Sequence, residues 1–222
     1  MTVAFQGFGD AAFSPPVRGY LHRPEQGAGG GLVLAHGAGS NSNSSLLITV
    51  AGAFAGAGFT VLRCDLPFRQ NRPYGPPRPG EAERDREGLR NAVVALRKLG
   101  CGRMFLGGHS YGGRQATMLC AEEPDLVTGL LLLSYPLHPP RKSTQIRVQH
   151  LPGLRVPALF VHGTRDPFGT IEEMELALKM IAAKTELLQV DGAGHDLGFK
   201  GKAMPAELVG TVVAAFAAFL GG

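Results

Sequence analysis

Two observations predict an α/β domain: a mostly parallel central sheet with helices on both faces. Short β-branched or aliphatic runs recur along the chain, and each is followed by a longer helical pattern, the alternation that parallel strands with helical crossovers require. Four glycine-rich corners, His36-Gly37-Ala38-Gly39, Gly108-His109-Ser110-Tyr111-Gly112, His162-Gly163-Thr164-Arg165-Asp166 and Gly192-Ala193-Gly194-His195, each stand immediately after one of those runs. In an open parallel sheet such corners share the carboxyl rim, so residues far apart in sequence meet where ligands bind.

The elements follow in order. Val17 to His22 reads as an outer strand, and Gly31 to Ala35 (GLVLA) is apolar throughout, as a central strand buried on both faces should be. Ser45 to Gly56 reads as a helix, with Ser40, Asn41, Ser42, Asn43 and Ser44 ahead of it as candidate N-caps. Phe59 to Cys64 is the next strand. The stretch from Asp65 to Gly80 holds Pro67, Pro73, Pro76, Pro77 and Pro79 and is expected to be an irregular loop over a sheet edge. Glu81 to Leu99 has Glu81, Glu83 and Asp85 at its start and Arg97 and Lys98 near its end, matching the helix dipole, with Gly100 as its stop. Arg103 to Leu106 is a strand, Gly112 to Glu122 a helix and Gly129 to Leu133 a strand. Residues Ser134 to Arg155 break the rhythm, being polar and proline-interrupted, and read as a long loop or small lid rather than core. Pro157 to Val161 resumes as strand, Glu172 to Ala183 as helix, Glu186 to Val190 as strand, and Pro205 to Leu220 as a closing helix.

Bulk properties narrow the function classes. A length of 222 residues with 44% hydrophobic content favours one domain with one core. The 32 glycines and 16 prolines stay below the ~25–30% at which disorder becomes the default reading. Cys64, Cys101 and Cys120 form neither a paired framework nor a metal knuckle, so they read as small buried hydrophobes in a reducing compartment. The start lacks a basic and then apolar leader, and the apolar stretches Leu126 to Ser134 and Leu208 to Leu220 fall short of the ~18–20 residues of a membrane span, so a cytoplasmic protein away from membranes is expected. The net charge is +4, yet the densest basic patch, Arg63, Arg69, Arg72 and Arg78, falls around the proline-rich stretch with no helix to carry it into a groove. Nucleic-acid binding is therefore not expected, and these arginines read as solvated surface.

The chemistry lies in the corners. Ser110 is the centre of a G-x-S-x-G pattern between an apolar strand and a helix, where the glycines permit the sharp turn that exposes a nucleophilic hydroxyl. A serine needs a base to take its proton, and imidazole suits that at neutral pH. Of the seven histidines, His195 in GAGHDLG follows the last strand on a loop able to return over the rim. His22, His138 and His150 are expected at the surface, whereas His36, His109 and His162 are expected to shape their turns. The base needs an acceptor for its second N–H. Asp166 in HGTRDPF comes between Ser110 and His195 in the chain, with an Asx-type turn as its structural alternative and Asp191 and Asp196 as competing partners. Oxyanion donors are expected from the N–H groups of Tyr111 and Ala38, with Gly39 ranked after Ala38. No phosphate loop, dinucleotide fingerprint or metal cluster is apparent, so no cofactor is expected.

At these residues the chain resembles the α/β-hydrolase superfamily, over nearly its whole length from Val17 to Leu220. HGAGS, GGHSYGGRQA, HGTRDPF and GAGH most resemble the small bacterial dienelactone-hydrolase-like branch, which also resembles a eukaryotic group of testis-expressed and histone-acetyltransferase-complex subunits. The resemblance implies an α/β-hydrolase fold, with Ser110, Asp166 and His195 as the triad. Dienelactone hydrolases carry cysteine where this chain carries Ser110. The expected activity is cleavage of an ester, thioester or related acyl bond in a small molecule through an acyl-enzyme; the competing expectation is a catalytically idle module of the same fold used for binding or assembly. The segment from Ser134 to Arg155 is too short for a bulky helical cap, so the lid is minimal, and Arg69, Arg72 and Arg114 are candidate contacts for an acidic substrate.

Overall fold

The computed structural model describes residues 4–27, 30–140, 142, 144–199 and 204–221. Its strands are β1 (Phe5–Asp10), β2 (Val17–His22), β3 (Gly31–Ala35), β4 (Thr60–Cys64), β5 (Met104–His109), β6 (Gly129–Leu133), β7 (Ala158–Gly163) and β8 (Thr185–Val190). The helices are α1 (Ser45–Gly56), α2 (Pro67–Asn71), α3 (Ala82–Lys98), α4 (Tyr111–Glu122), α5 (Ile171–Leu178) and α6 (Ala206–Gly221). The eight strands form one sheet in the order β1-β2-β4-β3-β5-β6-β7-β8. Pairings among β4, β3, β5, β6, β7 and β8 are parallel, and β2 runs antiparallel to both β1 and β4. No helix among the described residues is long and apolar enough to cross a membrane.

The period of two along each strand divides the core between the faces of the sheet. Along β3, Leu32 and Leu34 join Val61, Phe105, Leu131 and Leu159 against α1 and α6. Val33 and Ala35 point the other way, joining Leu62, Leu106, Leu130 and Phe160 against α3, α4 and α5. Helix α1 begins where the polar lead-in provides a cap, with the Ser44 hydroxyl accepting from the Leu47 N–H at 3.4 Å. From β3 the chain crosses to β4 on one side, and from β4 it returns to β5 on the other side of β3. The strand order therefore reverses between β3 and β5, and this switch point opens a crevice at their carboxyl ends.

Several expectations need correction. Strand β1 was not anticipated: its residues are mostly exposed and Gly7 and Gly9 dilute the alternation, so Val17–His22 is the second strand from the edge. The proline-rich stretch contains α2, a five-residue helix that tolerates Pro67 because the first turn has no use for its missing N–H. The segment after β6 is not excluded from the core, since Tyr135, Leu137, Leu151 and Leu154 are buried in it; its prolines interrupt secondary structure without exposing the apolar residues between them. It includes a 3-10 turn at Leu151–Gly153, and Arg141 and Ser143 lie outside the described residues.

Arg63 and His22 are buried rather than solvated. The Arg63 guanidinium lies 4.6 Å from the Phe5 ring centroid and 4.9 Å from that of Tyr20. It donates from Nε to His22 Nε2 at 2.8 Å and from Nη1 to the Ser42 carbonyl and to Asn43 Oδ1. Aromatic faces and neutral acceptors thus meet its charge, and the side chain ties the two antiparallel strands to the lead-in of α1.

The register of β5 against β6 leaves no room at Gly107, where an added Cβ would stand 2.1 Å from the Leu131 carbonyl oxygen. Gly107→Ala is expected to destabilise the fold by about 3 kcal/mol, the upper end for overpacking. Gly52→Ala, on α1 with nothing within 4 Å, is expected to add up to about 1 kcal/mol through helix propensity. Urea unfolding of both variants checks the pair, and equal midpoints would contradict this strand register.

Candidate active site

The crevice at the switch point holds a chain of three side chains. Ser110, between β5 and α4, has φ 50° and ψ −115°, a left-handed conformation uncommon for a non-glycine residue. Its N–H donates to the Leu133 carbonyl at 2.9 Å, which anchors the turn to β6. The turn is sharp enough that α4 starts against β3: a Cβ at Gly112 would lie 2.6 Å from the His36 carbonyl oxygen. Glycine is required there by close approach.

His195 reaches this hydroxyl from the loop after β8. Ser110 Oγ–H donates to His195 Nε2 at 2.8 Å, and His195 Nδ1–H donates to Asp166 Oδ2 at 2.8 Å. The loops carrying Asp166 and His195 are bound to each other, with Arg165 N–H on the Ala193 carbonyl at 3.0 Å and Gly192 N–H on Thr164 Oγ1 at 2.8 Å. The Asp166 side chain is fully buried, and its other oxygen accepts from Phe168 N–H at 2.9 Å. The Asx turn and the partnership with His195 are therefore both realised, one on each carboxylate oxygen. Asp191 accepts from Thr164 Oγ1 in the loop after β7, and Asp196 accepts from Gly198 N–H within its own loop, so both competing carboxylates are engaged elsewhere than on His195 Nδ1. Phe168 stacks on the His195 ring, with centroids 4.0 Å apart and planes at 25°.

The three turn histidines behave as expected, and the hydrogen bonds fix their tautomers. His36 donates from Nδ1 to the Gly37 carbonyl at 2.8 Å and accepts Leu66 N–H on Nε2 at 3.1 Å. His162 donates from Nε2 to the Gly169 carbonyl at 2.9 Å. His109 donates from Nε2 to the His195 carbonyl at 2.7 Å, so the neighbour of Ser110 holds the backbone of His195. Burial, with the nearby His195 ring, pushes His109 down to about 4. His138 departs from the surface expectation: it is buried and meets Glu173 at 3.1 Å. Burial opposes its protonation, but the Pro139 carbonyl and Glu173 outweigh this and raise it.

The candidate oxyanion donors are held by groups whose role the sequence did not disclose. Among the described residues, the N–H groups of Ala38 and Tyr111 donate to no protein acceptor. Arg69, read as a solvated residue or a substrate contact, is buried instead. It donates from Nη2 to the Ala38 and Gly75 carbonyls, both at 2.9 Å, and from Nε to the Ser40 carbonyl at 2.7 Å. Arg72 pairs with Glu81 at 2.6 Å. On the other side, Tyr111 Oη–H donates to Asp85 Oδ2 at 2.7 Å, and the second Asp85 oxygen accepts from Phe68 N–H at 3.0 Å. Asp85 looks like a helix-dipole acid in the sequence but is fully buried, and burial raises its carboxyl above the usual range.

These groups open into a cavity of about 650 Å³, lined by Ala38, Ser110, Tyr111, Phe168 and His195 among others, with Pro76 and Pro77 from the proline-rich loop. A larger groove of about 1200 Å³ between β1, β2, α1 and α6 contains none of these groups. Arg114 and Arg147 also line the smaller cavity. Arg147 had no signal in the sequence, because its position depends on the burial of the segment around it.

Comparison with known proteins agrees with this architecture. Residues 29–219 match a family profile described as "Alpha/beta hydrolase domain". Among solved structures, a dienelactone hydrolase from Anabaena variabilis superimposes with a TM-score of 0.75 at 21% identity, over 98% of this chain and 99% of that one. Est1E from Butyrivibrio proteoclasticus gives 0.74 at 18% identity, over 96% and 98%. XC6422 from Xanthomonas campestris, described as an α/β serine hydrolase without lid, gives 0.67 at 14% identity, over 99% and 95%. The chain belongs to the α/β hydrolase family, which places it among hydrolases.

Burial holds His22, His109 and His150 at about 4, with Arg63, His195 and Arg114 respectively as the next causes, against an ordinary value of 6.5. A lowered folded-state value means that the unfolded chain binds more protons in this window. The associated stability is fully present above pH 6.5 and is lost as pH falls toward 4. Denaturant titrations across that window are expected to show a steep loss, shallower in His150→Gln; identical slopes for the two proteins would refute the neutral, half-buried state of His150.

Proposed function

We propose that this α/β hydrolase is a serine hydrolase that cleaves an ester, thioester or related acyl bond of a small molecule through an acyl-enzyme. The observation that carries the reading is the unbroken chain from Asp166 Oδ2 through His195 to Ser110 Oγ, with both links at 2.8 Å and the hydroxyl facing the cavity. Ser110 Oγ attacks the acyl carbon while His195 Nε2 takes the hydroxyl proton. Asp166 keeps Nδ1 protonated and stabilises the imidazolium. The carbonyl oxygen becomes an oxyanion that accepts hydrogen bonds from the Ala38 and Tyr111 N–H groups, donors already fixed by Arg69 and Asp85. As the tetrahedral centre collapses, His195 gives its proton to the departing alcohol or thiol. Water then repeats the sequence: His195 removes its proton, the hydroxyl attacks the acyl carbon, and Ser110 leaves with the proton returned.

Phe168 contributes by lying flat on the His195 ring, which restrains its rotation and presents a π face to the imidazolium. A binding module would need neither the hydrogen-bonded base nor the fixed donors, and no observation favours that alternative.

Ser110→Ala is expected to abolish both p-nitrophenyl ester hydrolysis and labelling by a fluorophosphonate probe. Hydrolysis at the parent rate in this variant would remove Ser110 from the mechanism. Asp166→Asn, which can present the wrong tautomer to the base, is expected to lower kcat by roughly 10³–10⁴-fold. Unaltered kcat there would show that another group orients His195.

A further inference from the structure

Arg114 and Arg147 line the cavity without a counter-charge among the described residues. Arg114 lies one turn into α4 with its N–H on the Ser110 carbonyl at 3.0 Å, so its side chain departs about 5.4 Å along the helix from the nucleophile. Arg147 comes from the segment after β6, and both line the cavity. The arginine–carboxylate pairs among the described residues are Arg72–Glu81, Arg86–Glu122 and Arg90–Glu123. Arg114 and Arg147 belong to none of them, although every Asp and Glu of the chain is among the described residues. The Nε of Arg114 is buried with no hydrogen-bond partner among the described residues. Burial and the neighbouring Arg114 charge draw the Arg147 guanidinium below its ordinary value.

The pair is held in place by its backbone. Arg147 N–H donates to the Leu137 carbonyl at 2.7 Å. Thr117 Oγ1–H donates to the Arg114 carbonyl at 2.8 Å, and Tyr135 Oη–H to the Arg147 carbonyl at 3.5 Å. One imidazole joins these hydroxyls: His150 Nε2 is 2.8 Å from Thr117 Oγ1 and 3.2 Å from Tyr135 Oη. A neutral Nε2–H there donates to hydroxyls whose own protons are engaged on the arginine backbones. Among the described residues neither guanidinium is engaged in an ion pair, and both stand on a fixed frame, the arrangement that recognises a carboxylate or phosphate by charge-assisted hydrogen bonds.

We propose that Arg114 and Arg147 form an anion subsite of the hydrolase cavity, and that the acyl substrate carries a carboxylate or phosphate group on the β6 side of the scissile carbonyl. The oxyanion loop after β3 lies on the opposite side of β5, so one substrate can engage both. The proline and Phe168 walls accept the apolar part between its two polar ends. This inference rests on the serine-hydrolase reading above.

The test compares kcat/KM for p-nitrophenyl butyrate, mono-p-nitrophenyl glutarate and a phosphate-terminated p-nitrophenyl ester of similar length, in a buffer free of phosphate. At least one anionic ester is expected to be preferred by roughly tenfold or more, mainly through KM. The preference should shrink with added salt and fall toward unity in Arg114→Gln and Arg147→Gln. Whichever anion carries the preference identifies the group. Ser110-dependent turnover with no anionic preference, or with a preference unaltered in both arginine variants, overturns the subsite and leaves the hydrolase reading intact. If no ester is cleaved, the hydrolase reading fails by itself. Calorimetric titration of glutarate and of inorganic phosphate then decides the subsite: saturable binding lost in both variants upholds it, and equal heats in all three proteins overturn it.

Discussion

The conformation of Ser110 is the constraint on which the site depends. A non-glycine residue at φ 50° carries backbone strain of order 1–3 kcal/mol, and the surroundings must hold it there. They do so through the Ser110 N–H on β6 and through α4 packing directly on the end of β3. The strain lifts the hydroxyl off the sheet at the switch point, where the loops after β3, β7 and β8 also end. Released from that conformation, Ser110 would no longer meet an imidazole positioned by a different loop.

Buried polar groups provide the remaining positioning, and each acts on backbone or tautomer. Arg69 gathers the carbonyls of the loop after β3, Asp85 joins Tyr111 to α2, and His109 holds the carbonyl of His195. Such groups are costly to bury unless partnered. Removing any one of them leaves another polar group unsatisfied, so the loop after β3, the Ser110 turn and the His195 loop are mechanically coupled. The same reasoning explains why His109 is neutral: its single N–H is required by one carbonyl, and burial beside a second imidazole disfavours a charge there.

The fold was legible in the sequence where hydrophobic periodicity was strong. GLVLA and GLLLL became central strands at the expected residues, and Ser45–Gly56 became α1 with one of its anticipated caps. The edge strand β1 was not legible, because a mostly exposed strand containing glycines has little apolar alternation to read. Ser110, His195 and Asp166 could be picked out because each sits in a glycine-rich corner after a strand, and those corners meet in the structure. Arg69, Asp85 and Arg147 could not be picked out. A charged residue in a loop or first helical turn looks the same in sequence whether it faces water or is sealed by distant segments, and only the tertiary packing of α2 and of the segment after β6 separates the two cases.

That packing also links the cavity to proton balance. His150 is kept neutral by burial and then by the charges of Arg114 and Arg86, and its neutral form bridges the hydroxyls that hold Arg114 and Arg147. Protonation would add a further positive charge beside an uncompensated pair. An anion bound between the two guanidiniums reduces that penalty, and by reciprocity a proton on His150 strengthens the field that attracts the anion. Ligand charge, the protonation of His150 and the placement of the segment after β6 therefore form one coupled equilibrium, in which the minimal wall beside Ser110 takes an electrostatic role as well as a steric one.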